Sequence, residues 1–160
     1  MTAPAPSPAS TAYADQLTAA ADQARAVLAA LAQHQHGADP ARLVEVPTVV
    51  DSPWLTDRRN ALVRSLVTGT SQLCPHIDQA PRVLHAAVWA PGRLVCSNCL
   101  PDLTPDPAED ATCDRCRRHT DRIHGTVAAL GPILLTYGLC PSCHTSETPP
   151  ARSRRSSRRR

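Results

Sequence analysis

Seven cysteines and one histidine form four close pairs between residues 74 and 143, and each pair is called a knuckle below. Knuckles 1 to 4 are, in order, Cys74-Pro-His76, Cys96-Ser-Asn-Cys99, Cys113-Asp-Arg-Cys116 and Cys140-Pro-Ser-Cys143. One or two residues between ligands let a tight turn present both side chains to one ion, and structural zinc sites take four thiolate or imidazole ligands. The pattern therefore predicts two zinc ions, one held by three cysteines and His76 and the other by four cysteines.

Two alternatives accompany this ligand set, and three further histidines are excluded from it. Iron in a rubredoxin-like site is the rival for a site of four cysteines. His85 lies in the same stretch of chain as knuckles 1 and 2 and could replace His76 as the eighth ligand. His119, His124 and His144 are predicted to stay outside the metal sites, because eight ligand positions are already filled.

Each neighbouring pair of knuckles encloses a predicted β-hairpin. The first hairpin runs over residues 82–96 with its turn at 90–92, and the second runs over 123–140 with its turn at Gly131-Pro132. A hairpin returns the chain to its starting point, so knuckle 1 should share an ion with knuckle 2, and knuckle 3 with knuckle 4. The other possible order is cross-braced, with the first knuckle joined to the third and the second to the fourth.

With these four knuckles and two hairpins, residues 74–143 resemble tandem zinc ribbons, a class in which two knuckles are joined through β-hairpins around one metal. The resemblance implies structural metal binding and points to no particular family within the class. The Cys-x-His form of knuckle 1 and the length of the hairpins depart from the commonest ribbon.

Two helices are predicted to precede the zinc units. From Tyr13 to His34, apolar or small residues recur with steps of four and three, which is typical of an amphipathic helix. This stripe could pack on its own domain, or it could form a coiled-coil dimer or bind a protein partner. Ser52 is predicted to cap a second helix with Pro53 in its first turn and Gly69 after its end.

The predicted fold class is α+β, with N-terminal helices followed by two zinc-stabilised hairpin units. Its expected organisation is a disordered segment (1–10), an amphipathic helix (11–36), an edge strand or connector and the second helix (41–70), a first zinc unit (71–101), a linker (102–112), a second zinc unit (113–146) and a disordered Arg-rich tail (147–160).

The amino-acid composition indicates the cellular compartment of the protein and the distribution of charge that a partner would meet. The number of cysteines is odd, no signal peptide is evident, and no stretch approaches the ~20 apolar residues of a membrane span, so we expect a cytoplasmic protein without membrane contact. All 17 basic residues are Arg and six of them lie in residues 152–160, which leaves 11 Arg against 14 acidic residues elsewhere. The body is thus slightly acidic and the tail basic.

Two partner classes follow, and the sequence favours a nucleic-acid-associated or regulatory role, because the tail and an Arg cluster add positive charge at two places; the alternative is a zinc-stabilised protein-interaction module. Nucleic acid could contact an Arg cluster at knuckle 3 and the tail, and the candidate residues are Arg115, Arg117, Arg118, Arg122, Arg152, Arg154, Arg155, Arg158, Arg159 and Arg160. A protein partner or a second copy could instead bind residues 13–34. An enzyme is not expected, because four protein ligands leave no open position on either ion.

Overall fold

The computed structural model describes residues 8–34, 52–77 and 80–147. The elements are α1 (Pro8–His34), α2 (Pro53–Val67), β1 (Gln72–Leu73), β2 (Leu84–Ala87), β3 (Ala90–Cys96), a 3₁₀ helix (Ser97–Leu103), α3 (Pro107–Asp110), β4 (His124–Leu130), β5 (Ile133–Leu139) and α4 (Pro141–Glu147). Helices combined with one mixed sheet confirm the α+β class.

The ends of α2 are determined by local sequence. The Ser52 hydroxyl accepts a hydrogen bond from the Leu55 N–H at 3.1 Å, and Pro53 occupies the first turn, where its missing N–H costs nothing. After Val67 the chain reaches Gly69, whose φ of +67° ends the helix in a conformation that glycine adopts readily. The predicted start and stop of this helix are therefore confirmed.

The five strands form one sheet in the order β1-β3-β2-β5-β4. Hairpin β2–β3 and hairpin β4–β5 are antiparallel, and they are joined by parallel pairing of β2 with β5, in which Leu84 lies opposite Ile133. The short strand β1 pairs in parallel with β3. The two predicted hairpins thus share one sheet instead of standing as separate units.

The helices α1 and α2 cover opposite faces of this sheet. Leu55 and Leu62 of α2 lie in one buried cluster with Leu135, whereas Ala24 of α1 lies in another with Leu134. Because successive strand residues point to opposite faces, neighbours in β5 that meet different helices place those helices on different sides. The result is three layers, with the sheet in the middle.

The turn of the first hairpin lies at Val88-Trp89, so the prediction of a turn at residues 90–92 was wrong. Ala90 already pairs with Ala87, and the register shifts between Ala86 and Ala87. Gly92, whose φ is +76°, lies inside β3 among the residues that this register shift leaves without a partner in β2. The second turn lies at Gly131-Pro132 as predicted, where Gly131 has a φ of +54°.

The apolar stripe of α1 packs on its own sheet in the middle of the helix. Ala20 and Ala24 are buried, and Ala24 contacts a cluster that contains Val83 and Val127. Towards the N-terminus of the helix, Tyr13 is 54% exposed and Leu17 is 41% exposed. The intrachain alternative therefore accounts for the centre of the stripe, whereas Tyr13 and Leu17 near its start, and Val27 beyond its centre, are partly exposed.

Several observed boundaries differ from those predicted. Helix α1 begins at Pro8, inside the segment 1–10 that was expected to lack structure, and proline suits a first helical turn. The linker 102–112 contains the end of the 3₁₀ helix and all of α3. The expected strand or connector at 42–50 and the tail from 148 onward lie outside the described residues. No helix in the described ranges is both long and apolar enough to cross a membrane.

Candidate metal centres

Site 1 is formed by Cys74, His76, Cys96 and Cys99, whose ligand atoms all lie within 4.8 Å of one another. Cys74 follows β1, Cys96 ends β3, and Cys99 lies in the 3₁₀ helix that begins directly after β3. The Cys74 N–H donates to the Leu94 carbonyl at 3.0 Å, and the His76 Nδ1 lies 3.1 Å from the Cys99 Sγ. A strand end and a helical turn thus bring knuckle 2 to knuckle 1.

Site 2 is formed by Cys113, Cys116, Cys140 and Cys143, again with all ligand atoms within 4.8 Å of one another. Cys140 directly follows β5 and Cys143 lies in the first turn of α4, which repeats the plan of a strand followed by a helical turn. The Cys116 and Cys140 sulfurs are 3.8 Å apart. That separation equals the edge of a tetrahedron whose metal–sulfur bonds are ~2.3 Å long.

The two sites lie at opposite ends of the sheet. Cys96 lies opposite Leu84, which in turn lies opposite Ile133 at the start of β5. Cys140 comes seven residues after Ile133, so the two sites are separated by about 23 Å along the strand direction. Each site therefore closes one end of the molecule.

Within site 2, hydrogen bonds and burial shift the pKa values of two thiols in opposite directions. The Ser142 hydroxyl, followed by the Cys143 N–H, lowers the pKa of Cys140 to about 6. Burial, followed by the neighbouring thiols, raises the pKa of Cys143 to about 12. One thiolate forms readily while its neighbour keeps its proton, because further negative charge in the same small volume is unfavourable. A divalent ion placed among the sulfurs removes that penalty.

Site 1 shows the same division. Burial opposes ionisation of Cys74, but the N–H groups of Cys96 and His76 outweigh it and lower the Cys74 pKa to about 7. Burial and the neighbouring thiols raise the pKa of Cys99 to about 11. The ligands of both sites fit zinc, because structural zinc sites are coordinated by four thiolate or imidazole ligands.

Asp114, which separates two ligands of knuckle 3, was not predicted to have a role. Its side chain is only 2% exposed. Its Oδ2 accepts from the Gly138 N–H at 2.6 Å, and its own N–H donates to the Gly138 carbonyl at 2.9 Å. Asp114 thereby holds knuckle 3 against β5, two residues before Cys140. The available signal was a carboxylate between the two cysteines of a knuckle, beside Arg115.

His85, His119, His124 and His144 are not among the residues that converge at either tetrad. The Nε2 of His85 lies 3.2 Å from the Ser97 hydroxyl, and burial lowers the pKa of this imidazole. His85 is not among the residues grouped at site 1, where the structure places His76 instead. His124 and His144 stack on each other with ring centroids 4.5 Å apart.

The Arg cluster at knuckle 3 is partly engaged within the chain. Arg117 donates to both carboxylate oxygens of Glu109, at 2.6 and 2.9 Å, and Arg115 donates to the Ser146 hydroxyl at 2.6 Å. Arg118 and Arg122 are exposed. The six candidate arginines of the tail lie outside the described residues.

Comparison of the chain with protein-family models, with characterised proteins and with solved structures gave no significant match. The geometry of the two tetrads therefore carries the functional assignment.

Proposed function

We propose that this chain is a non-catalytic zinc-binding protein with two structural zinc ions, each of which stabilises one end of the sheet. The observation that carries the proposal is the convergence of four ligand atoms within 4.8 Å at each of sites 1 and 2. The chain contains no Phe, two Trp and two Tyr, so aromatic side chains are scarce in its core. Metal binding would contribute directly to folding in such a chain.

The closed ligand sets support a structural role over a catalytic one. A catalytic zinc ion keeps three protein ligands and a position for water or substrate, whereas each tetrad supplies four side chains. Zinc is favoured over iron because site 1 includes an imidazole and because one metal would then suit both sites.

The biological role that we favour for this scaffold is a zinc-stabilised protein-interaction module. The exposed apolar side chains Tyr13 and Leu17 on the first turns of α1 support it, because they offer apolar surface beyond the edge of the intrachain contact. Nucleic-acid binding takes second place, because Arg115 and Arg117 already have partners within the chain.

Elemental analysis of protein purified under reducing conditions without chelator tests the metal proposal. We expect two zinc ions per chain, and fewer than one would overturn it. His76→Ala should lower the zinc affinity of one site, whereas His85→Ala is the matched control and should retain both ions. The opposite result would assign the eighth ligand to His85.

The interaction roles are separated by a nuclease-treated affinity purification and by truncation after Pro150. Partners that survive nuclease support a protein-interaction module. Nucleic-acid binding that falls steeply with salt and disappears on truncation would instead assign the contact to the Arg tail.

A further inference from the structure

The two metal sites differ in how firmly the protein itself holds their ligands. The structure assigns to Asp114 the role of a positioning residue that preorganises site 2, and we propose that site 2 consequently loads first and holds zinc more tightly than site 1. This inference rests on the proposed zinc function and concerns the order in which the two sites exchange metal.

Knuckle 3 is closed by hydrogen bonds that require no metal. The Cys113 N–H donates to the Arg118 carbonyl at 2.9 Å, and the Arg117 N–H donates to the Cys113 carbonyl at 2.8 Å. Thr112 and His119, on either side of the turn, form an isolated antiparallel bridge. These contacts fix the shape of the turn that presents Cys113 and Cys116.

Asp114 then attaches this preformed turn to the strand that leads into knuckle 4. Both backbone groups of Gly138 are used, its N–H by the Asp114 carboxylate and its carbonyl by the Asp114 N–H. A Cβ at Gly138 would lie 2.6 Å from the Ile123 Cγ2, so a larger residue at this contact would require Ile123 to shift. The two halves of site 2 are thus aligned by a contact outside the ligand set.

Arg117 extends this attachment to α3. Its guanidinium group donates to both carboxylate oxygens of Glu109 and lies 3.8 Å from the Asp114 Oδ1. Glu109 lies in α3, whose first turn is capped by the Asp106 carboxylate. A chain of polar contacts therefore runs from α3 through knuckle 3 to β5.

The apolar surroundings of the two sites differ in the same direction. Cys113 and Cys140 belong to the buried cluster that contains Leu55, Leu62 and Tyr137, at the interface of α2 with the sheet. Cys74 and Cys96 belong to a smaller cluster that is centred on Val95. Knuckle 1 is held by backbone bonds from Cys74 to Leu94 and from Ile77 to Cys74, and the Cys96 N–H donates to the Cys74 Sγ at 3.3 Å. In the described residues no carboxylate joins knuckle 1 to a strand as Asp114 joins knuckle 3 to β5.

Preorganisation converts into affinity because ligands that are already aligned lose less conformational freedom when the ion binds. Groups that orient metal ligands typically contribute 10–100-fold in affinity. We therefore expect site 2 to retain zinc at chelator concentrations about tenfold or more above those that empty site 1.

The order of release can be measured on the unmodified, zinc-loaded chain. Graded chelator is added, the freed thiols are alkylated, and modified cysteines are located by mass spectrometry. We expect Cys74, Cys96 and Cys99 to be alkylated before the four cysteines of site 2. Simultaneous release, or release from site 2 first, would overturn the inference while leaving the zinc proposal intact. A chain that carries no zinc would instead defeat the proposed function.

The role of Asp114 is tested with Co²⁺ as a spectroscopic probe, because a site of four sulfurs and a site of three sulfurs and one nitrogen absorb differently. In a Cys74→Ser background only site 2 remains complete, and Asp114→Ala should weaken its Co²⁺ binding about 10–100-fold. Asp114→Asn keeps a carbonyl that can accept from Gly138 and should restore most of the affinity.

Two controls separate positioning from general destabilisation. In a Cys113→Ser background, which leaves site 1 complete, Asp114→Ala should not change Co²⁺ affinity. Asp102→Ala removes an exposed carboxylate that lies 3.7 Å from Arg93 and should leave site 2 unaffected. Equal weakening of both sites by Asp114→Ala, or no weakening of site 2, would show that Asp114 does not position its ligands.

Discussion

Trp89 donates its indole N–H to the carbonyl oxygen of Leu103 at 2.8 Å. This bond ties the turn of the first hairpin to the last residue of the 3₁₀ helix, which carries Cys99. The segment between the two zinc units is therefore fastened to the sheet and is not a free linker.

Removing this bond should loosen the segment. Trp89→Phe keeps an aromatic ring but leaves the Leu103 carbonyl without its donor, so we expect a loss of about 1 kcal/mol in the free energy of unfolding. Limited proteolysis should also cut faster between residues 97 and 106. Trp54→Phe is the matched control, because Trp54 packs edge-on against Tyr137 and should leave this cleavage unchanged. Equal cleavage of the parent and the Trp89 variant would contradict the prediction.

Cys96→Ser should expose the thiols of its own site alone. Cys74 and Cys99 share site 1 with Cys96, whereas Cys140 and Cys143 lie at the opposite end of the sheet. In zinc-loaded protein we expect alkylation of Cys74 and Cys99 to rise while Cys140 and Cys143 stay protected. Exposure of Cys140 and Cys143 would indicate the cross-braced order in solution.

Gly138→Ala should destabilise the protein by about 1–3 kcal/mol, because the added methyl group overlaps the Ile123 side chain. Truncating Ile123 to Ala in the same chain should recover part of that loss. Gly69→Ala is the comparison, since its Cβ would meet nothing within 4 Å and its cost comes from the positive φ alone. Urea denaturation at saturating zinc measures the free energy of unfolding of all these variants. Additive effects of the substitutions at residues 138 and 123 would contradict a steric overlap between their side chains.

Substitutions near the N-terminal end of the apolar stripe of α1 should have little effect on stability. Substitutions at its centre, where the helix packs on the sheet, should destabilise the protein. Ala24 is fully buried, so Ala24→Leu should overpack the interface and cost about 1–3 kcal/mol. Leu17→Ala should change the free energy of unfolding by less than Ala24→Leu does, by about 0.5 kcal/mol, because Leu17 is 41% exposed. Light scattering on the same variants reports self-association. A dimer that Leu17→Glu dissociates would show that the first turns of α1 bind a second copy.

Asp114 should make stability depend on pH. Burial raises its pKa from 3.8 to about 6, against the lowering effect of the Gly138 N–H. A carboxyl whose folded pKa is raised favours the folded state while protonated, and this contribution is lost as pH rises through about 6. The stability of Asp114→Asn relative to the parent should therefore increase from pH 5 to 7 and then level off. Unfolding at several pH values, with zinc content measured in each sample, checks this, and a constant difference would contradict it.

Features determined by neighbouring residues were predictable from the sequence. The close spacing of Cys113 and Cys116 indicates a turn, the Gly131-Pro132 pair indicates the second hairpin, and Ser52 before Pro53 indicates the start of α2. Each depends on contacts within a few residues. The residues that converge at sites 1 and 2 followed from the return of each hairpin to its own start.

The joining of the two hairpins depends on contacts far apart in sequence and was not predicted. Strands β2 and β5 pair in parallel, and helices cover both faces of the sheet at this point. The run from Ile133 to Leu139 carries a signal for this, since its near-continuous apolar character is typical of a strand buried on both sides. The contact of Asp114 with Gly138 needs the folded positions of both residues, which no local pattern contains.

The two-residue strand β1 limits how the sheet can grow. Within the sheet, β2 of the first hairpin pairs in parallel with β5 of the second. If hairpins of different copies paired edge to edge in the same head-to-tail way, the copies would form an open filament. The outer edge of β3 would receive the next copy in such a filament, but Gln72 and Leu73 already pair there with Arg93 and Leu94. The edge that β1 itself presents is only two residues long, and very short edge strands are one of the features by which proteins disfavour edge-to-edge pairing.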